Sequence, residues 1–143
     1  MHLRKLFVVS LLLYLPAGLA AKQLLQTTTS WEGGEIAYPQ GKAEITSAKL
    51  IIEQAKTTAF HCHPVPTMGY VLKGQVEVET SSGKRVTLGE GDSVIEVMRT
   101  LHRGTALDGQ VEILVFYAGA EGTPNTVLPA DDPEGKYCDA TAS

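Results

Sequence analysis

The sequence predicts an all-β protein, a single antiparallel sandwich or barrel. Three observations predict it: apolar and polar residues alternate with period two through most of the chain, turn residues recur at short regular intervals, and no window offers four helical turns behind an apolar stripe.

The first element is not fold. Arg4 and Lys5 make a positive start, residues 6–15 an apolar run, and Gly18-Leu19-Ala20 places small residues at a cleavage point after Ala20. The run is about ten residues long, roughly half of what spans a bilayer. No twin-arginine pair precedes it, and no cysteine waits at the cleavage point to take a lipid. Residues 1–20 are therefore expected to be a signal peptide, and the mature chain to be exported, periplasmic or secreted, with no membrane association after cleavage.

About 120 residues then remain, room for one core and not two. Residues 21–42 read as a polar, glycine-bearing arm, 43–118 as the barrel core, and 119–143 as a tail carrying Pro124, Pro129 and Asp131-Asp132-Pro133. Within the core, strands are expected at 49–54, 69–73, 75–80, 84–88, 92–97 and 112–117, each rich in Val, Ile, Leu or Tyr and bounded by Gly, Ser, Pro or Asp. Gln75-Val76-Glu77-Val78-Glu79-Thr80 puts valines on one face and acids on the other, and Ser81-Ser82-Gly83 turns it back as a hairpin with one wet face.

Charge narrows the partners. Twelve Lys and Arg stand against sixteen Asp and Glu, with no basic stripe, so the electrostatic footprint of a nucleic-acid binder is missing. Export bears on the two cysteines. In an oxidising compartment Cys62 and Cys138 could pair and strap the tail over the sheet, a constraint of roughly 4 kcal/mol in the chain-entropy model. Two free or separately modified thiols, or Cys62 as a metal ligand, are the other readings, the last opposed by strand alternation.

His61-Cys62-His63 carries the chemistry. Residues i and i+2 of an extended strand share a face, so both imidazoles can aim at one point while Cys62 faces away, a geometry that suits a metal ion. Gly-Tyr-Val-Leu-Lys-Gly follows, and further on a lone His102 comes after a Gly-Glu-Gly-Asp turn.

These residues resemble the cupins, small double-stranded β-helix (jelly-roll) barrels. The first cupin motif runs glycine, five residues, His-x-His, three or four residues, glutamate, six residues, glycine. His61, His63 and Gly74 fall at its spacing, while Thr67 occupies the glutamate position and Ala55 that of the opening glycine. In the second motif Gly91 and His102 match, whereas Val97, Arg99 and Ala106 replace its proline, second glycine and asparagine. Sixteen residues separate Gly74 from Gly91, a short gap of the kind seen in compact single-domain members.

The resemblance implies a jelly-roll cupin barrel in which His61, His63 and His102 bind a divalent transition metal: Zn, Fe, Ni or Cu. Physical chemistry supports it, because three buried imidazoles would otherwise each need a hydrogen-bond partner; the other reading is that two of them are core histidines bonded to backbone carbonyls around an empty site. With no glutamate in the set, three neutral ligands leave the ion's double charge to attract an anionic or oxygenated small molecule. Met68 is a narrower candidate: Pro64 and Pro66 can slip the strand's parity and turn its thioether inward, a set suited to copper. For acid–base work Glu96, Tyr38 and Tyr70 are the nearby candidates, Glu96 weighed against a solvated strand position and Tyr70 against packing on the outer face. Arg99 and Arg103 flank His102, where they either grip a carboxylate at the barrel mouth or pair with surface acids.

Two functions follow. One is a metal-dependent enzyme of dioxygenase, lyase or isomerase type acting on a small-molecule substrate; the other is a non-catalytic exported protein that holds a metal or a small ligand. The resemblance also implies a homodimer formed through a sheet face or an exchanged N-terminal strand.

Overall fold

The alternation of Val76, Val78 and Thr80 with Glu77 and Glu79 has its expected outcome. The three former residues are buried, and Glu77 and Glu79 face outward, where Arg85 bonds both at 3.1 and 3.2 Å. These residues form β3 (Gln75–Thr80), paired antiparallel with β4 (Arg85–Gly89) through the anticipated turn, in which Gly83 adopts φ 88°.

The computed structural model describes residues 21–139, so the expected signal peptide at 1–20 lies outside the described residues. The remaining elements are β1 (Ala43–Ile52), β2 (Thr67–Lys73), β5 (Ser93–Ile95), β6 (His102–Ala106), β7 (Val111–Ala120) and a 3-10 turn at Pro129–Asp131. Two sheets result, one in the order β1-β7-β2-β5 and the other β4-β3-β6, all antiparallel. This is the antiparallel barrel that the alternation predicts, with the jelly-roll form that the cupin resemblance implies.

Most strand limits differ from expectation, and one strand is new. β1 begins at Ala43, because its first residues need no core face and pair register for register with β7. β5 is shorter, ending at Ile95, with one further backbone bond from Glu96 N–H to Thr67 O. β6 was not anticipated: its inward residues are His102, Gly104 and Ala106, which carry no large apolar signal yet are buried. Residues 57–62 run beside β6, through bridges from Thr57 to Thr105 and from His61 to His102.

Between the sheets lie Ile52, Val71, Val76, Val78, Leu88, Val94, Ala106 and Val111. Removing each such side chain from water stabilises the fold by roughly 1.5–3 kcal/mol before entropy is subtracted. The arm caps one part of this core: Trp31 packs against it, and its backbone N–H donates to Ile95 O at 3.0 Å. The tail covers another part. Cys62 and Cys138 form a disulfide with Cα atoms 5.7 Å apart, and Val127 pairs with Cys62 as a β-bridge. The Asp132 carboxylate holds the tail's end by accepting the backbone N–H groups of Lys136, Tyr137 and Cys138 at 2.8, 2.9 and 2.7 Å. Those bonds, with that of Cys138 the strongest, keep its carboxyl below the usual range.

All four glycine positions of the two motifs adopt left-handed backbone. Gly74 has φ 80° and Gly91 φ 90°, while their non-glycine counterparts Ala55 and Arg99 sit at 57° and 59°, the two non-glycine residues with positive φ among those described. The backbone keeps the turn where the side chain has changed.

Candidate metal centre

Strand alternation places His61 and His63 inward and Cys62 outward, and β6 brings His102 alongside. The three rings pack with centroids 5.0, 4.5 and 4.9 Å apart. One ring nitrogen from each lies within 4.8 Å of the other two. Two nitrogens bound to one ion at about 2.1 Å are at most about 4.2 Å apart, so the set closes on an ion with side-chain movement of under about one ångström.

The tautomers are set from behind. Nδ1 of His61 donates to Ala59 O at 2.8 Å, that of His63 to Asn125 O at 2.9 Å, and that of His102 to Thr100 O at 2.9 Å. A proton held on Nδ1 leaves the lone pair on Nε2, the arrangement by which backbone carbonyls orient imidazole ligands. Burial, reinforced by His102 and then His61, pushes His63 down to about 3. Burial and then His102 lower His61, and burial lowers His102. All three are neutral at pH 7, the state that ligation requires. The donor set therefore fits a divalent transition ion.

Above the imidazoles is a cavity of about 280 Å³ with mostly apolar walls, among them Leu50, Ile52, Val76, Val78, Ile113 and Val115. Polar groups are few: Thr58, Thr67, Thr126, Glu96 and Tyr117. Thr67 is buried and donates its hydroxyl to Val65 O at 3.0 Å. Tyr117 escaped the sequence reading although it follows Ile113 and Val115 at period two; its ring lies 5.6 Å from that of His63.

Glu96 is not a solvated strand residue. Val94 faces the core, so alternation turns Glu96 inward, and its Oε2 stands 3.7 Å from His102 Nε2. Desolvation raises its carboxyl to about 7, opposed by the neighbouring His61.

The other candidates lie elsewhere. Met68 is 46% exposed on the outer face between Phe116 and Ile95, because the prolines leave strand parity intact, so it does not join the site. Tyr38 is 77% exposed and outside the cavity. Tyr70 alternates with buried Gly69 and Val71 and takes the outer face. Arg99 reaches the tail, bonding Asp139 at 2.7 Å and Lys136 O at 3.1 Å. Arg103 bonds Glu79 at 3.2 Å and covers the Phe60 ring. Neither arginine grips the barrel mouth.

An antiparallel jelly-roll with three convergent imidazoles inside offers a metal ion three donors at one point. Residues 49–117 match the family model described as cupin domain, and the fold is a jelly-roll barrel of the cupin type. Among solved structures it is similar to the DMSP lyase DddQ from Ruegeria pomeroyi DSS-3, with 24% identity, a TM-score of 0.54, and coverage of 71% of this chain and 49% of that one. It is also similar to the polyketide cyclase RemF from Streptomyces resistomycificus, with 16% identity, a TM-score of 0.51 and coverage of 62% and 61%. A third is the oxalate decarboxylase of Lactobacillus farciminis, with 17% identity, a TM-score of 0.50 and coverage of 59% and 26%. The chain thus spans about half the length of the lyase, and these likenesses show the fold alone. No curated protein sequence matches this chain.

Proposed function

We propose that this protein is an exported cupin that holds one divalent transition metal on His61, His63 and His102 and acts, as a metal-dependent enzyme, on a small anionic or oxygenated molecule in the barrel. The observation that carries the reading is the set of three Nδ1-to-carbonyl bonds, which leaves three neutral Nε2 donors facing one point. When bound, such an ion supplies Lewis acidity toward an oxygen donor.

The chain's own residues do the rest. The apolar walls exclude water and strengthen every electrostatic contact inside, and Tyr117, Thr58 and Thr126 offer hydroxyls to a polar ligand. The Cys62–Cys138 bridge supports export, since such bridges persist in oxidising compartments. The solved likenesses include a lyase, a cyclase and a decarboxylase, so the fold they share leaves the substrate open.

A non-catalytic binding role is the second reading, favoured by the short supply of ionisable groups in the cavity, where Glu96 is the single carboxylate. Elemental analysis of the untagged, exported protein tests the site first. About one equivalent of a single metal, lost in a His61→Ala, His102→Ala double variant, is expected; no metal in either protein after incubation with several ions overturns the reading.

A further inference from the structure

We propose that Glu96 is the fourth protein ligand of this centre, supplying from the end of β5 the carboxylate that its cross-strand neighbour Thr67 lacks. The inference rests on the three-histidine reading above.

The backbone makes the two residues a pair. β2 and β5 align Tyr70 with Ser93, Gly69 with Val94 and Met68 with Ile95. Glu96 N–H donates to Thr67 O at 2.9 Å, which carries the ladder one residue further. Residues directly opposite on antiparallel strands share a face, with Cβ atoms about 4.5–5.5 Å apart. Both line the same cavity. A carboxylate at position 96 therefore reaches the region that one at position 67 would reach, displaced by a single strand spacing.

Thr67 itself is a weak donor to a metal: it is neutral and short, and its hydroxyl sits against Val65 O. Glu96 has the opposite character. Its Oε2 is sealed from solvent and no hydrogen-bond donor reaches it. A buried carboxylate without a donor is among the costlier polar arrangements, and an adjacent cation removes that cost. Its neighbour at 3.7 Å is Nε2 of His102, the atom that faces the centre. Two adjacent ligand atoms on one ion at about 2.0–2.1 Å stand roughly 3–3.4 Å apart. Glu96 is outside the donors already within 4.8 Å of one another, so its side chain must swing from His102 toward the other two imidazoles to join a five- or six-coordinate sphere that keeps a position for a ligand.

The consequence is chemical. Three imidazoles and one carboxylate leave the ion with one net positive charge in place of two, so a monoanionic ligand neutralises the cavity. A hard oxygen donor also shifts preference toward Zn and Fe and away from Cu(I).

Co²⁺ titrated into the metal-free mature protein is the test, with absorption in the visible as the readout. In the wild type about one equivalent should bind. Glu96→Gln, close to isosteric, should weaken Co²⁺ binding at least about tenfold and change the ligand-field bands, because outer-sphere partners alone account for about 10- to 100-fold. The swap Thr67→Glu, Glu96→Gln should restore affinity and band shape within a few-fold. Circular dichroism establishes that each variant is folded. A Glu96→Gln spectrum superimposable on the wild type overturns the proposal, whatever the affinity. Infrared difference spectra of the wild type, Zn²⁺-loaded minus metal-free, need no substitution, and an unchanged carboxylate region overturns it equally. Failure of the wild type to bind Co²⁺ at all is a different result, since it removes the three-histidine reading itself.

Discussion

His61 and His102 exchange both of their backbone hydrogen bonds: His61 N–H donates to His102 O at 3.0 Å and His102 N–H returns to His61 O at 2.9 Å. Two of the three imidazoles, forty-one positions apart in the chain, are thus opposite members of one antiparallel pair. Neither side chain is needed for that pairing. The variants His61→Ala and His102→Ala are each expected to lose metal binding by at least about 100-fold while keeping the wild-type far-ultraviolet circular dichroism, checked by competition with a chelator of known affinity.

Acid should destabilise the metal-free protein. His63 falls from 6.5 to about 3 on folding, and His61 and His102 are also lowered, so from pH 6.5 down to 4.5 the unfolded chain binds more protons at these sites than the native one. Stability then falls with pH, by up to about 1.4 kcal/mol per unit from His63 alone. Glu96, raised from 4.5 to about 7, works the other way: the native state holds its proton, and its contribution is lost as pH rises toward 7. Urea denaturation at pH 7 and pH 5 in chelator should show the net loss on acidification, steeper in Glu96→Gln because the opposing group is gone.

The disulfide closes a loop with a sequence separation of 76. Replacing both Cys62 and Cys138 with serine is expected to cost about 4 kcal/mol in the chain-entropy model. It should also weaken metal binding, because the tail that the bridge holds down provides Asn125 O, the carbonyl behind His63. Guanidinium melts and metal titrations of the double variant check the two effects separately.

Ala55 and Arg99 stand in left-handed backbone that costs a side chain roughly 1 kcal/mol. Ala55→Gly should therefore raise stability by up to about 1 kcal/mol. Arg99→Gly should not, since it also removes the bonds to Asp139 and Lys136 O. Gly74→Ala should destabilise by about 1–3 kcal/mol, as φ is 80° and a Cβ there would lie 2.6 Å from Gln110 O. Thermal melts of the three variants rank them.

Much of this was legible in the sequence because the barrel advertises itself where large apolar residues alternate with polar ones. The β3–β4 hairpin and the inward pair His61 and His63 follow from period two alone. β6 was hidden because its buried face is His102, Gly104 and Ala106, small or polar residues that register as loop. Glu96 was left between two readings for a related reason: a charged residue suggests solvent, although Val94 two positions earlier already fixed its side of the strand. Trp31 could not be placed, since nothing local says that an arm folds back onto a core sixty residues further on. The motif glycines mark the reverse case, in which Ala55 and Arg99 conceal a turn that the backbone retains.

Cys62 sits between two imidazole-bearing neighbours and points to the other side of the same strand. In the reduced chain Cys62 is a free thiol beside the segment proposed to bind metal, and a thiolate outcompetes imidazole for soft ions. The bridge to Cys138 withdraws that rival donor and ties down the strand that carries both imidazoles.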